Sequence, residues 1–97
     1  MAFIAPPNIL VAARTSIGLT QSEVAAEAGI SRSSLQRIEL GKIRPGRNTI
    51  RLQLFYETCG IHFISPSDGR AWGIVDNADA FRTSRRVKVS DDAQEVL

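Results

Sequence analysis

The chain has 97 residues, and its 12 Lys or Arg against 10 Asp or Glu give a net charge of +2 at neutral pH. This length suits one small domain with just enough residues to bury a compact core. A single cysteine excludes an internal disulfide and favours a reducing, cytoplasmic compartment. No apolar run approaches the roughly 20 residues needed to cross a bilayer, so we expect no membrane association.

The chain opens with a short arm, residues 1–7, in which Pro6-Pro7 suits an extended lead into a first helix. Helical spacing of apolar residues follows, and Gly18 can end that helix in a left-handed conformation. The apolar positions of this helix are Ile9, Leu10, Ala13 and Ile17.

Two short helices follow, joined by a tight turn. Thr20 and Glu23 have the spacing of a capping box, and Gly29 can end the helix that they begin. Ser31 can cap the next helix, which Gly41 closes. The inward positions are Val24, Ala25 and Ala28 in one helix and Leu35 and Ile38 in the other. So short a turn makes the two helices cross steeply. An ordinary helical hairpin with a solvated polar face is the plain alternative.

A fourth helix is predicted to begin at Gly46 or Asn48 and to continue to Gly60. Ile50 and Leu54 supply its helical repeat, with Leu52 and Tyr56 on flanking faces. The segment from Gly29 to Leu52 carries six Lys or Arg against one acid, Glu39, a local charge of +5. Cations gathered on one segment indicate a polyanionic partner, although a charged stripe is more often just a solvated face.

Residues 61–75 are typical of a short β-hairpin, because two β-prone runs flank an Asp68-Gly69 turn signal. A lone hairpin is marginal in water and needs a surface to cover it. We interpret it as a homodimer interface, with a hairpin folded onto its own helices as the alternative. The candidate interface residues are Ile61, Phe63, Ile64, Trp72, Ile74 and Val75.

The last segment, residues 76–97, is a C-terminal tail of mixed charge. Phe81 to Val89 combines four cations with β-prone residues, whereas Asp91, Asp92 and Glu95 are acidic. Three interpretations stay open for it: a third strand, a flexible tail that contacts DNA phosphates, or a segment that binds a protein partner.

Nothing in the chain indicates an enzyme, a metal site or a cofactor. His62 lies between apolar residues in a predicted strand, and no Cys or His stands at metal-ligand spacing from it. Cys59 lies among apolar neighbours, as a buried small residue does. We find no catalytic constellation.

The helical segment resembles the helix-turn-helix of the lambda-repressor/Cro class, also called Xre-type regulators. With Gln21 as the first position, the match includes seven further residues. They are Val24, Ala25, Ala28, Gly29, Ile30, Leu35 and Ile38. The flanking stretches RTSIGL and IELGKIRP and the segment from Asn48 to Gly60 are similar too, so that the resemblance spans roughly residues 8–60.

The resemblance implies a role for each matching position. Those facing base edges are Arg32, Ser33, Gln36 and Arg37, and Arg and Gln can each bond a purine edge twice. Those facing phosphates are Gln21, Ser34, Lys42, Arg44 and Arg47, where Ser34 could instead support the helix start. Arg14 and Glu39 match a structural salt bridge. Leu40 departs from the family pattern, which commonly has a polar residue there.

The sequence thus predicts a mainly α fold: a four-helix lambda-repressor-like domain (8–60), a β-hairpin (61–75) and a C-terminal tail (76–97). The function that it favours is a prokaryotic or phage transcriptional regulator that binds double-stranded DNA. We expect a repressor that binds an inverted-repeat operator as a homodimer through the recognition helix, residues 31–40. The alternative is an antitoxin or antiactivator that binds a protein partner through its C-terminal strands or tail.

Overall fold

The computed structural model describes residues 4–66 and 71–85. Four helices come first: α1 (Pro7–Ile17), α2 (Gln21–Ala28), α3 (Arg32–Leu40) and α4 (Arg47–Cys59). The strands β1 (Ile61–Ile64) and β2 (Gly73–Asp76) form an antiparallel pair, and residues 79–85 form a further helix, α5. This order confirms the mainly α fold with four helices followed by a hairpin.

The helix boundaries follow from local chemistry, as the sequence predicted. The Thr20 hydroxyl accepts from the Glu23 amide at 3.1 Å, and the Glu23 carboxylate accepts from the Thr20 amide at 2.9 Å. Gly18, Gly29 and Gly41 adopt left-handed conformations that end α1, α2 and α3. A side-chain cap of this kind contributes about 1 kcal/mol.

The core lies where α1, α3 and α4 meet over the small residues of α2. Val24 and Ala25 are buried, and their small side chains let α2 approach the other helices closely. The largest fully buried side chains are Tyr56, Leu10, Leu35, Leu52, Ile61 and Val24.

Residues 4–6 lead directly into α1, and Ala5 contacts α4. Pro6 is the N-cap and Pro7 the first helical residue, where the missing amide hydrogen costs no helical hydrogen bond. Ala5 is buried, and its amide donates to Gln53 Oε1 at 2.8 Å. This hydrogen bond therefore ties the residues just before α1 to the middle of α4.

The orientation of α4 differs from the prediction. Leu52 and Tyr56, expected on flanking faces, are fully buried, whereas Ile50 and Leu54 are 40% and 54% exposed. Both sets of residues have helical spacing, so that the sequence of α4 alone allows either face to turn inward. The choice is made by packing, because the buried face of α4 includes Tyr56, whose ring contacts that of Phe63 of β1 in a tilted arrangement at a centroid distance of 6.5 Å.

The hairpin folds onto the helices of its own chain. In the register of the pair, Phe63 lies opposite Ile74 and Ile61 opposite Asp76. β1 packs against α4 and β2 against α1. Gly60, which joins α4 to β1, has no room for a side chain. Its φ is 108°, and a Cβ there would lie 2.5 Å from the carbonyl oxygen of Asn77. The predicted Asp68-Gly69 turn lies outside the described residues.

Residues 79–85 of the C-terminal segment form a helix, whereas the sequence suggested a third strand, a flexible tail or a segment that binds a protein partner. Ala78 is fully buried, and α5 lies against α1 and α2 through charged contacts. Arg82 binds both Asp76 and the Ser16 carbonyl, and Arg85 binds Glu27 at 2.9 Å. These long-range partners explain a helix that its own mixed-charge sequence does not indicate. Residues 86–97 lie outside the described part.

Candidate nucleic-acid interface

The outer face of α3 is a continuous strip of polar side chains. Leu35 and Ile38 turn the opposite face of the helix into the core. Residues three or four apart lie side by side on a helix, so that the outer residues form one surface. They are Arg32, Ser33, Gln36 and Arg37, and all four are exposed. Leu40 extends the strip at its C-terminal end and is 59% exposed.

Serine hydroxyls fix the start of α3. Ser31 Oγ accepts from the Ser34 amide at 3.1 Å, which caps the helix. Ser31 Oγ also donates to Ser34 Oγ at 2.8 Å and lies 3.3 Å from Ser33 Oγ. The sequence suggested two roles for Ser34, a phosphate contact or support of the helix start, and these contacts agree with the second.

A polar network links three helices beneath the strip. Arg14 of α1 makes a bidentate pair with Glu39 of α3, with Nε to Oε2 at 2.7 Å and Nη2 to Oε1 at 3.0 Å. Gln21 Nε2 at the start of α2 donates to Glu39 Oε1 at 2.8 Å. The hydrogen bond with Glu39 raises the pKa of Arg14 against the opposing effect of burial.

This network has a consequence for the predicted phosphate contact of Gln21. Its amide group is engaged by Glu39, and Gln21 itself is only half-exposed. The same contact fixes the start of α2 relative to the end of α3. A phosphate placed here would meet the first-turn amides of α2, where the helix dipole favours an anion.

The loop after α3 and the start of α4 form an open, cationic cleft. Its volume is about 340 Å³, and its lining includes Arg44, Arg47 and Thr49. Gly46, the N-cap of α4, has no side chain to satisfy the first-turn amides, while Thr49 Oγ1 accepts from the Gly46 amide at 3.2 Å. Free amides beside exposed guanidinium groups are the usual setting for a phosphate.

The cations of α3 and of the loop that follows it differ from the other cations in having no ion-pair or side-chain hydrogen-bond partner within the described residues. Arg14, Arg82 and Arg85 each form an ion pair within the chain. Within residues 4–66 and 71–85, five cations form no ion pair or side-chain hydrogen bond, and all five belong to α3 or to the loop and first residue of α4. They are Arg32, Arg37, Lys42, Arg44 and Arg47. All are exposed and available to an anionic partner.

Arg51, the sixth cation of the basic segment, has an internal partner. Its Nη1 donates to the Gly29 carbonyl at 3.1 Å, which joins α4 to the turn between α2 and α3. Sequence reasoning counted this residue only as charge, because the contact spans 22 positions and leaves no local signal.

The candidate dimer residues of the hairpin are mostly turned toward their own chain. Ile61 is buried, and three others are partly buried against the core: Phe63, Trp72 and Ile74. Ile64 is half-buried, and Val75 is 42% exposed. Of these six residues, only Val75 is exposed.

The two residues weighed for metal or thiol chemistry lie apart from the strip. His62 is exposed on β1, and Cys59 is buried in the last turn of α4. Burial raises the pKa of the Cys59 thiol, so that the unreactive neutral form is favoured.

Residues 10–53 match the family model described as Helix-turn-helix, which covers α1 to α3 and the first half of α4. The match supports the resemblance of this helical segment to the Xre/lambda-repressor-like helix-turn-helix regulators. The family is one of DNA-binding domains and is not enzymatic, so that the match supports a DNA-binding regulator. A search of curated proteins found no match. None of the helices in the described part of the chain is long and apolar enough to span a membrane.

Proposed function

We propose that this protein is a sequence-specific transcriptional repressor that places α3 in the major groove of an inverted-repeat operator and acts as a homodimer. One observation carries the proposal. The five cations without an internal partner in the described chain all lie on α3 or in the segment 42–47 that follows it. Such segregation is the electrostatic pattern of a protein that binds nucleic acid.

The residues divide into two sets with different tasks. Arg32, Gln36 and Arg37 stand on a rigid helix and have the donors and acceptors that distinguish base edges. Lys42 and Arg44 lie in the following loop and suit phosphates, which position the protein without reading sequence. Gln21 and Glu39 act beneath the surface by fixing α2 against α3.

The homodimer follows from the reach of one recognition helix. A single α3 reads only a few base pairs, whereas two copies related by a two-fold axis read half-sites one helical turn apart, roughly 34 Å. Repression follows where such an operator overlaps a promoter. A regulator of this kind works in the cytoplasm of a prokaryotic cell, as part of the host genome or of a phage.

The division of tasks is tested with three single variants on an operator selected from random DNA. We expect Arg37→Ala to weaken operator binding by about 1 to 3 kcal/mol and to relax the preference at one base pair. Lys42→Ala should weaken operator and random DNA alike and lower the salt slope by about one. Arg51→Ala is the matched control, since it removes one cation of the same segment whose guanidinium is bonded to Gly29.

The measurement is a titration of labelled duplexes across a series of salt concentrations, with circular dichroism to verify folding. Equal losses for Arg37→Ala and Lys42→Ala on both kinds of DNA would refute the division between base and phosphate contacts. Binding unchanged in both variants would refute the proposed interface itself.

A further inference from the structure

An exposed apolar stripe runs along α4 on the side that faces away from the core. Ile50 and Leu54 are one helical turn apart and are 40% and 54% exposed. The buried residues of α4 lie on the opposite side of the helix, at Thr49, Leu52, Tyr56 and Cys59. Exposed apolar side chains that lie together on one helix face, and are not scattered singly, are candidates for an interaction surface.

Charged residues of opposite sign extend the stripe at its two ends. Arg47 lies three residues before Ile50, and Glu57 lies three residues after Leu54, so that the four form a 3-4-3 spacing on one helix face. Both charged side chains are exposed, and within the described residues neither forms an ion pair or a side-chain hydrogen bond. We call Arg47, Ile50, Leu54 and Glu57 the α4 stripe.

We propose that the α4 stripe is the surface through which two copies of this chain pair, with the two α4 helices antiparallel across a two-fold axis. This inference deepens the proposed function, because it names the contact that makes the homodimer. A two-fold contact is self-complementary, so that the surface must match its own rotated copy.

The order of the four residues along the α4 stripe lets the surface match its own rotated copy. An axis that passes beside residue 52 brings Ile50 of one copy against Leu54 of the other, and Arg47 against Glu57. The apolar pair lies in the middle and the ion pairs lie at the ends, as in a typical interface with an apolar core and a polar rim. A parallel arrangement would instead place Arg47 against Arg47 and Glu57 against Glu57, which like charges oppose.

The size of the stripe sets the strength of the pairing. Four partly exposed side chains offer well under the roughly 800 Å² per partner that a stable interface buries. Two copies also bring together two strongly basic segments, which repel until DNA phosphates neutralise them. The free protein therefore pairs weakly, and the operator completes the dimer.

The pairing also refines the role of Arg47. In the dimer its guanidinium faces Glu57 of the second copy, which leaves Lys42 and Arg44 as the main phosphate contacts of the loop. The hairpin keeps its role as a cover for the core of its own chain, since Ile61, Phe63 and Ile74 pack inward.

Self-association of the full chain tests the proposal directly by sedimentation equilibrium over a concentration series. We expect Leu54→Glu to weaken self-association by about tenfold or more, because it places a carboxylate against Ile50 of the second copy. Val75→Glu on the hairpin is the matched control and should leave self-association unchanged. Loss of pairing in Val75→Glu alone would overturn the proposal in favour of the hairpin.

A charge exchange separates this pairing from a general loss of apolar surface. Arg47→Glu and Glu57→Arg should each weaken self-association, and the double variant should restore it, since the pairs reform with reversed sign. Failure of the double variant to recover would overturn the antiparallel arrangement.

Binding to a half-site and to the full inverted repeat distinguishes failure of this inference from failure of the proposed function. Leu54→Glu should bind the half-site as the unaltered protein does and lose cooperativity on the full site. Cooperativity retained in Leu54→Glu would overturn the α4 pairing while the DNA-binding proposal stands. Absence of half-site binding in the unaltered protein would instead overturn the proposed function. The α4 pairing would still be tested by sedimentation equilibrium, which measures self-association without DNA.

Discussion

At the scale of single residues, two polar groups in or beside the core have opposite consequences for stability. The Tyr56 hydroxyl is fully buried, and within the described chain it has no hydrogen-bond partner. Glu39, by contrast, binds both Arg14 and Gln21. Burial without a partner costs free energy, whereas a satisfied carboxylate becomes costly only when its partners are removed.

Replacing Tyr56 by Phe should leave stability unchanged or raise it by about 1 kcal/mol, since the variant no longer buries an unpaired hydroxyl. Burial also raises the pKa of Tyr56, so that the hydroxyl stays neutral throughout the accessible pH range. Urea denaturation followed by circular dichroism measures the effect. A loss of stability in Tyr56→Phe would show that the hydroxyl has a favourable partner.

Replacing Glu39 by Ala should cost about 3 kcal/mol, because it leaves the partly buried Arg14 guanidinium unpaired. The side chain of Glu39 is 6% exposed and that of Arg14 is 20% exposed, so that water compensates the Arg14 guanidinium only in part. The double variant Arg14→Met with Glu39→Met should recover much of the loss. The single variants Arg14→Met and Glu39→Met complete the cycle, and strictly additive losses in the double variant would contradict coupling between the two side chains.

At the scale of elements, α5 is held by Phe81, which is partly buried against the core, and by several charged contacts. Asp76 at the end of β2 accepts from Arg82, from the Ser16 hydroxyl and from the Ala78 amide, and these bonds lower its pKa from 3.8 to about 2. Arg85 reaches across to Glu27 of α2 at 2.9 Å. Exposed ion pairs contribute little singly, so that α5 depends on several of them acting together.

The lowered pKa of Asp76 makes the attachment of α5 sensitive to acid. Because the folded-state pKa lies below the unfolded one, Asp76 contributes stability above about pH 4, and this contribution disappears as the pH falls toward 2. The stability difference between the unaltered protein and Asp76→Asn should therefore shrink over this window. Denaturant unfolding at several pH values checks it, and a constant difference would contradict the assigned interaction.

How much of each element could be predicted depended on how local its determinants are. The ends of α2 and α3 follow from Thr20, Glu23, Ser31 and glycine, whose partners lie within a few residues, and the structure confirms them. The inward face of α4 could not be predicted in this way, since Ile50 with Leu54 and Leu52 with Tyr56 have equivalent spacing.

Contacts between distant residues explain the remaining differences. α5 depends on partners as far as 66 residues away, such as the Ser16 carbonyl for Arg82. Arg51 likewise carries no local sign of its bond to Gly29. The polar strip of α3 could be predicted because its residues share one helix and its role rests on a family resemblance.

At the scale of the whole molecule, charge is divided between two regions. The cations near α5 are paired with acids of α2, β2 and α5, whereas those of α3 and the following loop are free within the described residues. The residues that we propose for DNA binding and the residues that attach α5 are therefore separate sets of side chains.

This separation predicts the effect of shortening the chain. A protein that ends at Arg85 keeps α5 and its ion pairs and should bind the operator within about twofold of the full chain, because phosphate and base contacts are unchanged. A protein that ends at Val75 should be less stable, since it lacks the buried Ala78 and the Arg82 contacts. Titration of operator DNA and urea denaturation measure the two effects. A large loss of DNA affinity on removal of 86–97 would assign that segment a direct part in DNA binding.

Whether α3 recognises a DNA sequence is tested by selecting double-stranded DNA from a randomised library with the full chain at near-physiological salt. We expect an inverted repeat to be enriched, and we expect the same selection with Arg37→Ala to relax the preference at one symmetric pair of positions. Enrichment of a single half-site would contradict the homodimer but would still agree with α3 as the recognition helix. Weak, salt-sensitive binding with no enriched sequence would contradict the central claim that α3 reads DNA.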